Sequence, residues 1–307
     1  MPPPVKPYGI DEHIALLTSE RVVKRVIDRT GRDLEQTRII LNTYASECRY
    51  GFHLISKQLP VDGRILEVGA GLGMLSSYLR RLGYDITALE PSAPGFDFFA
   101  EIQAVVLDET ATNLPVLRIR AEHLRPSNHG VFQFIFSINV LEHISHLAAA
   151  LPSLVSVLAD GGRMWHTCPN YCVPYEPHFG LPLVPLFPRA THLLLPRRIS
   201  RDELWRSLNF ITYFQLKRLA RANGLTASFR AGTMAEALRR LEWDNEFAAR
   251  QSGMASRIYR ILKAIGAVAA IEGLPAAIST PMMVSMERRP GTQREPSGPP
   301  NLLSKSG

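Results

Sequence analysis

The sequence predicts an α/β domain built on a doubly wound, mostly parallel sheet. Three observations carry that expectation. Short apolar runs alternate with helical periodicity along the middle of the chain, one such run leads directly into Gly69, Gly71 and Gly73, and the next closes on Glu90. A chain of 307 residues, 46% of them apolar, is long enough to fill a sizeable core around such a sheet.

Taken in order, Leu34, Ile39, Leu41, Tyr44 and Leu54 recur at intervals that favour one or two amphipathic helices between Arg32 and Gln58, so residues 1–59 are expected to form an N-terminal helical cap. Pro60 and Gly63 break the pattern. RILEV (64–68) then reads as a buried parallel strand, MLSSYLRRLG (74–83) as a helix that stops at Gly83, and DITALEP as a second strand. The alternation continues through FDFFAEIQ, VLRIRA and FQFIFSIN, an apolar helix at 146–158, and GRMWHTCPN after an Asp160-Gly161-Gly162 turn. Six prolines between 171 and 200 exclude a regular helix or central strand there and mark an inserted lid at 171–205. Helical periodicity returns over 202–223, followed by LTASFRAG as a strand, helices at 233–250 and 254–271, and PMMVSMERR (281–289) as a closing strand within a domain spanning 60–289. The Pro-, Ser- and Gly-rich tail, 290–307, is expected to be disordered.

A net charge of +7 suits an acidic substrate, an anionic membrane surface or nucleic acid. The arginines of PRRISRDELWRS, LKRLARANG and ALRRLEW sit at helical spacing with apolar residues between them, which describes solvated helix faces, so no nucleic-acid partner is expected. Cys48, Cys168 and Cys172 are too few for a disulfide framework, and the pair in CPNYC lacks the second pair that a zinc site needs. The start, MPPPVKPYGIDEH, has no secretory pattern, and charges interrupt the apolar stretch from Ile258 to Met286; an intracellular, cytoplasmic chain is expected.

Three glycines between a strand and a helix let backbone approach a ligand closely. A dinucleotide fingerprint starting at Gly69 would need glycine at position 74, which is Met74, and an apolar residue where Glu67 stands. Glu67 is instead placed to reach the amino group of an amino-acid cofactor, and Glu90 to accept both hydroxyls of a ribose.

With LEVGAGLG (66–73), TALEPS, IRAEHLRP (119–126), FQFIFSINVLEHI (132–144) and LADGGRMWHTCPN (158–170) in this order, residues 60–170 resemble the class I S-adenosylmethionine-dependent methyltransferases. The resemblance implies a Rossmann-like sheet of seven strands, the last one (PMMVSMERR) inserted antiparallel beside the sixth. It implies S-adenosylmethionine as cofactor, with contacts from Glu67, Gly69, Ala70, Gly71 and Gly73, from Glu90 and Pro91, from Ala121 and Glu122, and from Asn139. Arg120 stands where many relatives carry an acid or amide, which shifts the adenine contact to Glu122 or a backbone amide.

Methyl transfer is an in-line displacement, to which a base near an oxygen nucleophile contributes. His143 in LEHI, and Glu176 and His178 in YEPHFG, are the candidate catalytic residues. Glu142, His143, Glu176 and His178 offer metal-binding atoms, but Asn139 replaces an acid that ubiquinone-pathway O-methyltransferases carry near LEH, so no metal is expected. The run PNY, PYEPHFGLPL and LFPR resembles methyltransferases that modify bacterial surface glycans and lipids, which implies a small-molecule, lipid or glycan acceptor. With Pro196-Arg197-Arg198 beside it, the lid also suits peripheral contact with the inner membrane surface. Two other readings stand beside this one: a nicotinamide-dependent oxidoreductase on a similar sheet, and a catalytically silent cofactor-binding subunit.

Overall fold

The computed structural model describes residues 8–91, 97–196, 199, 202–251 and 253–289; the expected disordered tail, Arg197 and Arg198 lie outside them. Seven strands form one sheet: β1 (Ile65–Val68), β2 (Ile86–Leu89), β3 (Val116–Leu117), β4 (Phe132–Ile138), β5 (Leu158–Cys168), β8 (Leu225–Phe229) and β9 (Met282–Arg288). Their order is β3-β2-β1-β4-β5-β9-β8, and β9 runs antiparallel to both neighbours while the other pairings are parallel. PMMVSMERR is thus the antiparallel insert that the sequence predicts.

Both faces of the sheet are covered, which is why its central strands read as continuous apolar runs. Successive side chains point to opposite faces: Ile65 joins a core with helices α1 (Ile10–Leu17), α2 (Glu20–Thr30), α3 (Leu34–Ile55), α4 (Met74–Arg81) and α5 (Asp97–Glu109), whereas Leu66 and Val68 join a second core. That second core includes α7 (Leu147–Ser156), which follows the single turn α6 (Pro126–His129), and later α9 (Tyr213–Ala222). The N-terminal helices therefore share a core with the sheet rather than forming a separate unit. Among the described residues no helix is long and apolar enough to cross a membrane.

Residues 171–196 contain no long element. A two-stranded hairpin pairs β6 (Tyr175–Glu176) with β7 (Leu181–Pro182), a 3-10 segment follows at Pro188–Leu193, and Tyr171, Leu183, Trp205, Leu208 and Phe210 close a small core of their own. Asn170 anchors this lid to the sheet. Its amide nitrogen donates to the carbonyls of Ala277 and Ser279, both at 3.0 Å, while its Oδ1 accepts from the backbone of Cys172 and Tyr213.

Several expected boundaries are corrected. The helix expected over 202–223 is two, α8 (Glu203–Ser207) and α9, because the chain leaves the helical path at 208–212, with Phe210 at φ +56°. Asp244 caps a new helix and so divides the expected 233–250 helix into α10 (Thr233–Trp243) and α11 (Asn245–Arg250). The 254–271 helix likewise separates into α12 (Gly253–Ala264) and α13 (Val268–Glu272) around Gly266, whose φ is +68°. The Asp160-Gly161-Gly162 turn lies inside β5, where the register against β4 shifts.

Asn170 is fully buried, so replacing it leaves several backbone groups without partners. Asn170→Ala is expected to lower stability in a urea titration by about 2–4 kcal/mol. A loss within the ~0.5 kcal/mol of an ordinary surface change would contradict this account.

Candidate functional site

The carboxyl edge of β1, β2, β4 and β5 opens into one cavity of about 1180 Å³. Glu67, Gly69, Ala70, Gly71, Glu90, Pro91, Ala121, Glu122, Asn139, His143 and His178 all line it. Two sequence candidates do not: Gly73, which caps the start of α4, and Glu176, which is fully buried behind His178.

The glycine turn is held by side chains around it. Gly69 and Gly71 have φ of +72° and +53°, and a Cβ on them would lie 2.5 Å from Val140 and from the Tyr44 ring respectively. The close approach to bare backbone that the sequence suggests is therefore made partly by protein. The turn's amides are engaged as well: Gly69 and Ala70 donate to Leu89 O, Gly73 to Ala70 O, and Gly71 to Glu90 Oε2 at 2.6 Å. Gln103, which accepts a hydrogen bond from Arg118, donates to Gly71 O at 2.8 Å, so both backbone groups of Gly71 are fixed.

Glu67, the next-to-last residue of β1, lies on the face that meets α4, where the Ser76 hydroxyl donates to it. Burial pushes this carboxyl up to about 8, against the hydrogen bonds from Ser76 that favour its charged form. Burial also raises Glu90, against its bond from Gly71 N–H and the nearby Arg118. Two acids thus stand at the N-terminal end of α4, where a dinucleotide would place its pyrophosphate. A cationic amino group and neutral ribose hydroxyls fit this donor set, and a phosphate does not.

Across the cavity, Leu141–His143 form a 3-10 turn after β4, entered through Asn139 at φ +53°. The 208–212 break positions this turn: Asn209 N donates to Glu142 O, and its side chain donates to Leu141 O at 2.7 Å and Ile144 O at 3.0 Å. His143 Nδ1 lies 2.7 Å from Ser207 Oγ, whose own proton goes to Leu204 O, so the imidazole is the donor in that pair. His178 Nδ1 meets Glu176 Oε1 at 2.6 Å, and Glu176 also accepts from Tyr171 OH and Phe179 N. Both rings therefore turn Nε2 toward Glu142, at 3.9 and 3.8 Å.

Glu142 is fully buried and neither of its oxygens accepts a hydrogen bond from any described group. Burial pushes it up to about 7, against the pull of His178, and burial brings His143 down to about 3. For His178, burial acts downward, but the bonded Glu176 carboxylate and then Glu142 outweigh it and raise the imidazole. Ligand atoms of Glu142, His143 and His178 lie within 4.8 Å of one another, and Glu176 is not part of that group.

The sequence reading missed a third wall. Tyr44, Glu47 and Cys48 recur along one face of α3, and Glu47 accepts from Asn139 Nδ2, Arg240 and Arg250. An acid inside an apolar helical stripe was the available signal; its arginine partners lie about two hundred residues further along.

The folded chain keeps the Glu67 proton up to about pH 8, whereas an unfolded chain releases it near the ordinary value of 4.5. This group's contribution to stability is therefore full at low pH and lost as pH rises through that window. Glu67→Gln is expected to gain stability over the wild type between pH 5 and 8, on the order of 2 kcal/mol. Parallel stability curves for the two proteins in urea would contradict it.

Comparisons with known proteins bear on the family of the chain. The family described as a methyltransferase domain matches residues 41–228. An uncharacterised protein of Mycobacterium tuberculosis strain H37Rv is 35% identical over 219 residues, covering 68% of this chain and 74% of its own. A ubiquinone biosynthesis O-methyltransferase of Caulobacter sp. is 30% identical over 34% of this chain and 40% of its own. Among solved structures, an S-adenosylmethionine-dependent methyltransferase of Thermotoga maritima, described as a possible histamine N-methyltransferase, aligns with a TM-score of 0.42 at 20% identity, covering 68% of this chain and 83% of that one. The chain belongs to the S-adenosylmethionine-dependent methyltransferases.

Proposed function

We propose that the chain methylates an oxygen of a small-molecule, lipid or glycan acceptor, with His178 as the base. The observation that carries this reading is the Glu176–His178 pair: Nδ1 is held at 2.6 Å by a buried carboxylate in a ring that lines the cavity, so that in the neutral imidazole Nε2 carries the lone pair. S-adenosylmethionine supplies, when bound, a methyl carbon made electrophilic by its sulfonium. Glu67 takes the amino group of the cofactor, Glu90 the ribose hydroxyls through the oxygen that Gly71 leaves open, and Ala121 with Glu122 flanks the adenine; Gly69, Ala70, Gly71, Pro91 and Asn139 complete the wall.

In this reading the acceptor hydroxyl gives its proton to His178 Nε2 as the oxygen attacks, and Glu176 stabilises the imidazolium that results. Glu176 acts through His178 rather than on the acceptor. His143, held by Ser207, lies edge-on to His178 with ring centroids 5.1 Å apart and limits where the hydroxyl sits. The Caulobacter relative, which is named as an O-methyltransferase, supports oxygen as the accepting atom. On the lid, exposed Leu186, Phe187, Leu193 and Leu194 beside Arg189 support peripheral contact with an anionic membrane surface.

A second reading comes from Glu142. Its unpartnered carboxylate faces two imidazole nitrogens, an arrangement that calls for a proton, on Glu142 or on His178, or for a cation among them. A divalent cation there would be held by Glu142, His143 and His178 and would polarise the acceptor oxygen.

A radiolabelled methyl-donor assay against candidate acceptors separates the two. For the base reading, His178→Ala is expected to slow turnover by about 10²–10⁴-fold with cofactor affinity unchanged, and dialysis against a chelator to leave the wild-type rate intact. Loss of turnover on chelation, restored by added Mg²⁺ or Zn²⁺, would favour the cation. Undiminished turnover in His178→Ala would remove this residue as the base.

A further inference from the structure

The cavity is larger than the cofactor needs. At about 1180 Å³ it exceeds the ~300–1,000 Å³ of a usual single-ligand pocket. Its additional wall comes from elements that make no part of the cofactor end. One face of α10 contributes Met234, Ala237, Leu238 and Leu241, at helical spacing, and α12 and α13 add Leu262 and Ile271.

These side chains are only half-buried, and none belongs to the apolar clusters that make up the cores of the described fold. Apolar surface left open inside a cavity, contiguous with a reaction site, marks a place for an apolar ligand. The two arginines that line this part of the cavity, Arg240 and Arg250, are already engaged with protein partners. Arg240 lies between the rings of Tyr50 and Phe247 at 3.9 and 4.3 Å, and bonds Asp244, Ser46 and Glu47; Arg250 bonds Glu47. Neither arginine is therefore free to demand an anionic group of the ligand.

The lid closes the other side. Tyr175 OH donates to Gln251 Oε1 at 2.8 Å and Gln251 Nε2 donates to Pro177 O at 3.2 Å, so the hairpin that carries Glu176 is tied to the end of α11. Ile258 lines the cavity yet is 47% exposed, which leaves this lobe open at α12.

We infer that the lobe between α10, α12 and α13 holds the aliphatic chain of an amphiphilic acceptor, whose polar end carries the oxygen methylated beside His178. This rests on the methyl-transfer reading above and narrows it to acceptors bearing an acyl or prenyl chain.

Fluorescence titration with cis-parinaric acid, and its displacement by 1-octanol, 1-decanol and 1-dodecanol, tests the lobe; calorimetry with S-adenosylhomocysteine tests the cofactor end separately. The expected result is one saturable probe site that persists with S-adenosylhomocysteine bound, and alkanol affinity that rises roughly fourfold per methylene. Leu238→Asp and, independently, Leu241→Asn are expected to weaken the probe at least tenfold while S-adenosylhomocysteine affinity, which also reports correct folding, stays the same. Normal S-adenosylhomocysteine binding with no saturable probe site, or with probe affinity unchanged in both variants, would overturn the lobe and leave methyl transfer standing. Probe binding without S-adenosylhomocysteine binding would overturn the inference by removing the reaction that the lobe serves.

Discussion

The structure depends on two carboxylates held at the start of one helix. Glu90 accepts the amide of Gly71, and Glu67 accepts from Ser76 in the first turn of α4. In an ordinary nucleotide-binding turn those amides face a phosphate, and the helix dipole assists it. Here the amides of Gly69, Ala70, Gly71 and Gly73 all have partners within the protein, so none of them is left to hold an anion. The cofactor is consequently one that brings a cation and hydroxyls, which is what S-adenosylmethionine offers. Burial of both acids raises them, so each is costly to charge without a cationic partner.

What was legible in the sequence is the part whose signals are local. RILEV, the alternate glycines and TALEPS lie within about thirty residues, and they place strand, turn, helix and both carboxylates. The antiparallel β9 was legible by resemblance. The 208–212 break was not, because DELWRSLNFITYFQ keeps apolar residues at helical intervals throughout. What overrides that periodicity is tertiary: Asn209 holds the carbonyls of Leu141 and Ile144, and Phe210 adds its ring to the lid core. Glu176, expected as a catalytic candidate, does not line the cavity but lies fully buried behind His178. Only the hairpin geometry decides which of two residues in YEPHFG turns outward.

The site also divides labour between near and distant parts of the chain. The sheet edge supplies the cofactor end and the His143 turn, whereas α3, the lid and α10–α13 supply the remaining walls. Glu47 is the joint between them, since it receives Asn139 from the sheet edge and Arg240 and Arg250 from α10 and α11. Of its two arginine partners only Arg240 is buried, so loss of Arg240 would leave the half-buried Glu47 with Arg250 alone.

Isothermal titration of the wild-type chain with S-adenosylhomocysteine and, in a parallel run, with NAD tests the carboxylate pair most directly. The account predicts saturable binding of S-adenosylhomocysteine at one site and no measurable binding of NAD. NAD bound as tightly as S-adenosylhomocysteine would mean that Glu67 and Glu90 do not set the charge of the site.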